Sequence, residues 1–279
     1  MKKKIHYIKT FVKNLNDPDN EYLSVIQELD TNSNIILTKE FDEENNIIYE
    51  SCQKYGENNN IIFEEIISEK DDYAEKKTFS YNENGELKSE KIEYDGGWFS
   101  IRKYESDPET GITKISCLDE DSELEEMFVI EYNEKNLVVC HKSYDENNKL
   151  KEMIKNEYNE DDTLAIKEEY DNKGKLEKSS EYFYNENGKL SGLKVFNRKG
   201  KLLDWTKVEY NDIGQVIEQS SMSGAGIKLE YNDNSVIESY INPNGEVAKR
   251  TVTIKDEDGY VVEEQTNSKI SRYVYEFYD

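Results

Sequence analysis

The residue types that most often act as nucleophiles or proton carriers are sparse in this chain of 279 residues. It has two histidines, His6 and His141, and three cysteines, Cys52, Cys117 and Cys140. Cys140 and His141 are adjacent, so on a β-strand their side chains point to opposite faces and cannot form a dyad together. A cysteine–histidine pair assembled from different strands stays open. No C-x-x-C, H-E-x-x-H, P-loop or G-x-G-x-x-G motif occurs, so we predict a protein that is not an enzyme and binds no cofactor.

Carboxylates are too abundant to identify a site by themselves, since the chain has 61 aspartates and glutamates. Two Asp-rich turns, Asp256–Gly259 and Asp119–Glu123, superficially resemble calcium loops. Neither assembles the alternating ligand positions that end in a glutamate, and aspartate is common in turns for local reasons. We therefore predict no metal site. A glycosidase-like carboxylate pair stays open, because pairs at suitable spacing are everywhere in such a sequence.

The net charge of −25 constrains the choice of partner. Phosphate contacts require clustered Lys and Arg, so we predict no nucleic-acid partner. An acidic surface favours a basic protein partner, although carboxylates on a solvated sheet can serve only to prevent aggregation. Only 35% of the residues are hydrophobic, which is also typical of disorder. The 21 Tyr and 9 Phe, placed periodically, argue instead for a folded repeat protein.

The sequence also bears on the cellular compartment. The segment Met1–Thr10 is basic at its start, but Lys9 and Lys13 interrupt what would be the core of a signal peptide. No apolar stretch approaches the roughly 18 residues of a membrane-spanning helix. The odd set of cysteines is typical of reduced thiols. We expect a cytoplasmic protein with no membrane span.

An internal repeat dictates how the elements are organised. An aromatic residue followed by Asp or Asn recurs at Tyr132, Tyr144, Tyr158, Tyr170, Tyr184, Phe196 and Tyr210. The gaps alternate between 12 and 14 residues, so the true period is 26. Each aromatic opens the phrase Tyr-Asn/Asp-x-x-Gly/Asn-x-Leu/Val, as in Tyr184–Leu190. A repeat this regular indicates a scaffold built from one supersecondary unit.

The phrase predicts β-hairpins. Asn, Asp and Gly between short apolar runs are turn signals, and we predict strands over 150–158 and 202–210. Gly or Asn at the fifth position of the phrase, as at Gly174 or Asn148, predicts a backbone with positive φ in a hairpin loop. Equivalent phrases start at Leu29 and end at Val261.

The spacing also predicts the arrangement of the strands. The 12/14 alternation corresponds to strands of 7 and 9 residues, and even spacing places the Tyr and Leu anchors in two rails on one face. Polar residues would lie between the rails: Glu152, Asn156, Glu168, Lys178, Ser180, Asp204 and Thr206. Sheets of more than about ten strands rarely stay flat. We therefore predict an all-β antiparallel hairpin-repeat meander that curls into a single-layer solenoid or spiral ribbon. Its parts would be an N-terminal cap region (1–28), the repeats (29–261) and a C-terminal cap strand (262–279).

The phrase Tyr-Asp/Asn-x-x-Gly-x-Leu, as in Tyr170–Leu176, resembles the YD repeats of the RHS family and the shorter repeats of YwqK-like bacterial antitoxins. The resemblance covers most of residues 29–261. In RHS proteins such repeats form a β-hairpin shell around a toxin, and related repeats occur in immunity or antitoxin proteins. The chain is short and shows no evident leader or C-terminal toxin domain. The resemblance therefore implies an immunity or antitoxin protein that binds a toxin, and the alternative is a surface or secreted RHS-type module that binds carbohydrate or protein.

The repeat spacing fails between Tyr94 and Tyr132, and we predict an irregular stretch over 95–131. Loops inserted in a rigid scaffold often carry binding residues. Aromatic anchors are enriched at interfaces, and carboxylates can steer a basic partner. The predicted partner-binding residues are Trp98, Phe99, Asp119, Glu120, Asp121, Glu123, Glu125 and Glu126. The alternative is a bulge or corner of the sheet in which Trp98 only covers an edge.

Overall fold

The chain folds into β-strands joined by short loops. The computed structural model describes residues 3–279, apart from the side chain of Pro18. Within that range there are twenty-two strands and no helix. The first seven are β1 (Ile5–Asn14), β2 (Asp17–Leu29), β3 (Ile35–Phe41), β4 (Ile47–Tyr55), β5 (Ile61–Ser68), β6 (Tyr73–Tyr81) and β7 (Leu87–Tyr94).

The remaining strands continue the same pattern. Next come β8 (Phe99–Asp107), β9 (Ile112–Leu118), β10 (Leu124–Tyr132), β11 (Val138–Asp145), β12 (Leu150–Tyr158), β13 (Leu164–Tyr170), β14 (Leu176–Tyr184) and β15 (Leu190–Asn197). The last are β16 (Leu202–Tyr210), β17 (Val216–Ser221), β18 (Gly226–Tyr231), β19 (Ser235–Ile241), β20 (Val247–Lys255), β21 (Val261–Gln265) and β22 (Lys269–Phe277). The strands predicted over 150–158 and 202–210 are confirmed as β12 and β16.

All twenty-two strands of the described residues belong to one antiparallel sheet, and that sheet is closed. Ile8 of β1 pairs with Gln27 of β2 on one side and with Tyr275 of β22 on the other. The structure is therefore a closed antiparallel β-barrel. The predicted open solenoid or spiral ribbon is wrong, because the first and last strands are hydrogen-bonded to each other. Closure replaces two unpaired edges with ladder hydrogen bonds.

The strands nearest the two termini are joined by further contacts. The Tyr278 hydroxyl donates a hydrogen bond to the Leu29 carbonyl at 2.6 Å, and the Tyr278 N–H donates to the Lys4 carbonyl at 2.9 Å. Residues 1 and 2 of the predicted N-terminal cap lie outside the described residues. β1 and β2 fall within that predicted region, and β22 falls within the predicted C-terminal cap strand.

The chain divides into two compact units, which we describe separately. Unit 1 consists of Met1–Phe99, Leu229–Ser239 and Ala248–Asp279, and unit 2 of Ser100–Lys228 and Tyr240–Val247.

Several of the repeated loops share the hydrogen bonds seen between β13 and β14. The Asp171 N–H donates to the Lys175 carbonyl at 2.9 Å. The Asp171 carboxylate accepts hydrogen bonds from the N–H groups of Lys173 and Lys175, both at 2.8 Å. Gly174 has a φ of 71°, and Asn148 has 57° at the same position of its loop. The predicted positive φ is confirmed, and it explains why Gly or Asn stands there.

The tyrosines that end several nine-residue strands form a hydrogen bond with the start of the preceding strand. Each donates its hydroxyl to the carbonyl of the residue twenty positions earlier, which begins the adjacent strand. The pairs are Tyr55–Ile35 (3.2 Å), Tyr81–Ile61 (2.6 Å), Tyr158–Val138 (2.7 Å), Tyr184–Leu164 (2.8 Å) and Tyr210–Leu190 (2.8 Å). At the opposite ends of the strands the phrase opens with Tyr144 and Tyr170, but also with Phe41 and Phe196, which carry no hydroxyl. The repeat therefore needs Tyr at one end of the hairpins only.

A bulge beside each repeated loop changes which residues share a face. Ser143 pairs with Glu152, yet its neighbour Tyr144 pairs with Leu150, so the strand after the loop carries one extra residue. The same bulge occurs beside Tyr158, so that Asn156 pairs with Lys167 and not with Glu168. The prediction that Glu168 shares a face with Asn156 is wrong, because even spacing along the chain does not survive a one-residue bulge.

The sheet buries few large side chains, and among the described residues none is fully buried. Its buried apolar residues are Val12, Leu29, Ile92 and Cys140. Its buried polar residues are Ser51, Ser68, Ser143, Ser180, Ser271, Glu75 and Glu90. The backbone ladder and local loop bonds therefore contribute more of the order here than in a domain with a large apolar core.

Candidate functional site

The predicted contact residues Trp98 and Phe99 lie at the turn that follows β7. The Tyr94 N–H donates to the Trp98 carbonyl at 2.9 Å, and Gly96 has a φ of 92°. A Cβ atom on Gly96 would lie 3.0 Å from Nε1 of Trp98, so a glycine lets the indole lie over the turn. Trp98 is 67% exposed, whereas Phe99 is half-buried beneath Lys91, whose Nζ lies 4.5 Å from the ring centroid.

The predicted acidic contact residues belong to a hairpin loop of the repeated type. The Asp119 N–H donates to the Glu123 carbonyl at 3.0 Å, and the Asp119 carboxylate accepts the Glu123 N–H at 2.8 Å. Asp119 therefore shapes the loop. Glu120, Asp121 and Glu123 are exposed.

The two remaining predicted residues lie on β10, directly after that loop. Glu125 is exposed, whereas Glu126 forms an ion pair with Lys151 at 2.7 Å. Exposed carboxylates for a partner are therefore Glu120, Asp121, Glu123 and Glu125.

Residues 95–131 contain the paired strands β8, β9 and β10, in which Tyr104 pairs with Ile115 and Ile115 with Phe128. The aromatic residues Trp98 and Phe99 belong to unit 1 and the acidic residues to unit 2. The spacing fails because the loop after β8 has four residues and Leu118 replaces the aromatic before Asp119. The strands themselves continue.

The cysteines and histidines show no activated arrangement. Burial raises the pKa of the Cys140 and Cys117 thiols, which disfavours the thiolate. The His141 ring stacks on Phe128 at 5.7 Å, and the His6 ring stacks on Tyr278 at 4.2 Å. Across residues 3–279, no three His, Cys, Asp or Glu side chains are grouped so as to hold a metal ion.

A network of buried and half-buried charges crosses β4, β5 and β6 in unit 1. Lys77 Nζ lies 2.6 Å from Glu75 Oε1 and 3.3 Å from Glu64 Oε2. Gln53 donates its side-chain amide to Glu64 at 2.8 Å, and the Tyr73 hydroxyl donates to Glu75. The Glu75 side chain is only 9% exposed. This network orders the middle of three strands.

The network shifts the protonation equilibria of its members. Burial and then the hydrogen bond to Glu75 raise the pKa of Tyr73 to about 12. Burial alone would lower the pKa of Lys77, but hydrogen bonds and charges from Glu75 and Glu64 outweigh it and the pKa is raised. Lys77 is therefore held charged and Tyr73 neutral at physiological pH.

The sequence contains a signal for this network. Glu64 pairs with Lys77 and Glu65 with Lys76 across β5 and β6. Two acidic residues followed twelve positions later by two basic ones indicate cross-strand ion pairs once the register is known. The register was not predictable, because the loop Glu69–Asp72 departs from the repeat phrase.

Two adjoining grooves lie on the face of β4–β7 in unit 1, and together we call them the Ile67 surface. The first has a volume of about 550 Å³ and is lined by Ile47, Ile48 and Ile67 with Glu50, Glu69 and Lys70. The second has a volume of about 500 Å³ and is lined by Ile67, Ala74 and Tyr94 with Glu65, Lys76, Glu93 and Asp95. Both are lined by apolar side chains and by more acidic than basic ones.

Among residues 3–279, no helix is long and apolar enough to cross a membrane. No protein-family model matches the chain, and no curated protein matches it.

Some solved structures are similar to the chain. One is the crystal structure of TcdB2-TccC3-Cdc42, at 11% identity and a TM-score of 0.34, over 94% of this chain and 16% of that chain. A second is the Photorhabdus luminescens Tc holotoxin pore with a mutation in TccC3, at 12% identity and a TM-score of 0.32, over 95% of this chain and 18% of that chain. A third is a porin-like protein from Bacteroides uniformis ATCC 8492, at 11% identity and a TM-score of 0.34, over 98% of both chains. This chain spans less than a fifth of the first two, and likenesses at this level carry no functional conclusion.

Proposed function

We propose that this chain is a non-catalytic binding protein for a basic protein, and that it acts as a bacterial immunity or antitoxin protein that neutralises a toxin by binding it. The observation that carries the proposal is the acidic surface: the net charge is −25, and loop carboxylates such as Glu120, Asp121 and Glu123 are exposed. Such a surface attracts a basic partner and accelerates its association.

The repeated loops support this role because they hold their tips in one conformation. In several of them the first Asp or Asn accepts hydrogen bonds from two backbone N–H groups, as Asp171 and Asn185 do, and Asp119 accepts one, from Glu123. Carboxylates displayed on ordered backbone lose less conformational freedom on binding than those on a flexible segment. The raised thiol pKa values of Cys117 and Cys140 also favour binding over nucleophilic catalysis.

The resemblance of the repeat phrase to YwqK-like antitoxins supports the more specific role of toxin neutralisation. The phrase is clearest in Tyr170–Leu176 and Tyr184–Leu190. In both segments the residues of the phrase form the ends of two strands and the loop between them. The resemblance therefore concerns the scaffold.

The test is affinity capture of the protein encoded by the adjacent gene, followed by calorimetry of the pair. We expect saturable binding that weakens when the salt concentration is raised from about 50 mM to about 500 mM, because the Debye length shortens. Replacing Glu120, Asp121, Glu123 and Glu125 with Gln or Asn is expected to slow association, and Trp98→Ala with Phe99→Ala to speed dissociation. A chain that captures no basic protein from its own genetic neighbourhood would contradict the proposal.

A further inference from the structure

We propose that the Ile67 surface docks an extended basic segment of the protein partner, one in which an aliphatic or aromatic side chain lies between Lys or Arg residues. The inference rests on the proposed binding function and specifies where on unit 1 the partner makes contact.

The floor of the surface offers apolar area that the fold leaves uncovered. Ile47 is 40% exposed and Ile67 is 39% exposed. Single exposed apolar residues are ordinary, but these two line the same groove, and Ile67 also lines the second groove, which joins the two grooves into one surface. An apolar side chain that enters either groove removes area of Ile67 from water.

The rim selects a basic partner by charge. Glu50 and Glu65 are paired with Lys39 and Lys76 at 3.0 and 2.9 Å, and these side chains are between 30 and 56% exposed. Exposed ion pairs of this kind contribute little to stability, so a Lys or Arg of the partner can replace the resident lysine. The two loops beside the first groove add the carboxylates of Asp42, Glu43, Glu44, Glu69, Asp71 and Asp72, with Lys70 as their one cation.

The hydrogen bonding of the strands fixes the mode of contact. β4 pairs with β3 and β5, β5 with β4 and β6, and β6 with β5 and β7. Their backbone edges are all used, so a partner cannot add a strand to them. It must instead lie across the side chains on the face, which is where the grooves are.

The test uses the full chain and two fluorescent peptides of equal charge. One is Lys-Lys-Ile-Lys-Phe-Lys-Lys and the other replaces Ile and Phe with Ser. We expect the Ile/Phe peptide to bind more tightly in fluorescence anisotropy. The pair Ile47→Ser with Ile67→Ser is expected to weaken it by about fivefold or more. The matched control is Leu203→Ser with Ile213→Ser in unit 2, whose side chains are 49% and 79% exposed, and binding should be unchanged there.

Three outcomes would overturn the inference. Equal binding of the two peptides would mean that charge alone acts. Equal loss in the control pair would mean that the effect is not local to Ile67. Wild-type self-association in sedimentation velocity that disappears in Ile47→Ser/Ile67→Ser would identify a second copy as the occupant.

The inference and the proposed function fail separately. If a basic partner protein binds the wild type and the Ile47→Ser/Ile67→Ser variant equally, the binding function stands and the Ile67 surface is wrong. If no basic protein binds the wild type, the proposed function is wrong, whatever the peptides do.

Discussion

Two hairpins of this protein are built in different ways. The β14–β15 hairpin of unit 2 has a five-residue loop with Gly188 at a φ of 72° and a bulge beside Tyr184. The β5–β6 hairpin of unit 1 has the four-residue loop Glu69–Asp72 and an unshifted register from Phe63 to Ser68. The first is held by hydrogen bonds within its loop, whereas the second combines the Ser68–Asp71 hydrogen bond at its loop with the charge network in its strands.

The difference shows where the repeat leaves freedom for function. When the loop and the Tyr hydroxyl hold a hairpin, the strand middles can vary, and the phrase can be copied along the chain. When the loop departs from the phrase, as at Glu69–Asp72, cross-strand ion pairs such as Lys77–Glu64 stabilise the pairing of β5 with β6. The Ile67 surface lies beside this departure, on the same strands.

The largest effect is expected from Lys77→Met, which removes the cation between Glu75 and Glu64. Removing the cation leaves two partly buried carboxylates without a positive charge beside them, and we expect a loss of about 2–4 kcal/mol in the free energy of unfolding. The matched control is Lys207→Met, because Lys207 and Glu209 are 60% and 45% exposed and such pairs contribute under about 1 kcal/mol. Urea unfolding measures both. Equal losses would show that the network does not distinguish the β5–β6 hairpin.

Gly188→Val tests the regular loop. A Cβ at Gly188 meets nothing within 4 Å, so the cost is backbone strain at positive φ, about 1–3 kcal/mol for a β-branched residue. Gly188→Asn should cost much less, since Asn136 and Asn148 adopt φ values of 61° and 57° at the same loop position. Glu186→Ala, in the same loop, should leave the melting temperature almost unchanged. Similar melting temperatures for the Val and Asn variants would contradict this account of the loop.

The repeated loops explain which parts of the fold the sequence predicts. Positions of strands and left-handed residues were predictable because Gly or Asn in a fixed phrase has a local steric cause. Closure of the sheet was not predictable, because the pairing of Ile8 with Tyr275 joins two segments that are far apart in sequence and do not carry the phrase. The face of Glu168 was missed because a bulge leaves no mark in the spacing.

The candidate site was predictable only in part. Trp98 was identified from its type and its glycine neighbours, and it is the most exposed of the predicted aromatics. The Ile67 surface was missed because Ile47 and Ile67 lie twenty positions apart and line one groove only because β4 pairs with β5, where Glu50 is opposite Ile67. A local phrase predicts turns, whereas a groove requires cross-strand register.

Tyr184→Phe removes the hydroxyl that fastens the Leu164 carbonyl at 2.8 Å. The expected loss is about 0.5–1.5 kcal/mol, the net contribution of one hydrogen bond. Tyr144→Phe is the control, because the repeat uses Phe196 at that end of the hairpins, and it should cost less. Urea midpoints of the two variants report the difference, and a larger loss for Tyr144→Phe would reverse the assignment of the two ends.

The smallest effect concerns pH. Hydrogen bonds from the backbone N–H groups of Lys175 and Lys173 lower the pKa of Asp171. A carboxyl whose pKa is lower in the folded state stabilises the fold above the unfolded pKa, and this contribution is lost as the pH falls through the folded pKa.

Asn185 accepts the same two hydrogen bonds, from the N–H groups of Asn187 and Lys189, in its own loop without titrating. The Asp171→Asn variant should therefore be as stable as the wild type at pH 7 and more stable than the wild type below about pH 4. Urea midpoints at the two pH values measure this, with Asn185→Asp as the reciprocal variant, which should lose stability relative to the wild type in acid. A wild-type-to-variant difference that is constant with pH would mean that the Asp171 carboxylate does not hold its loop.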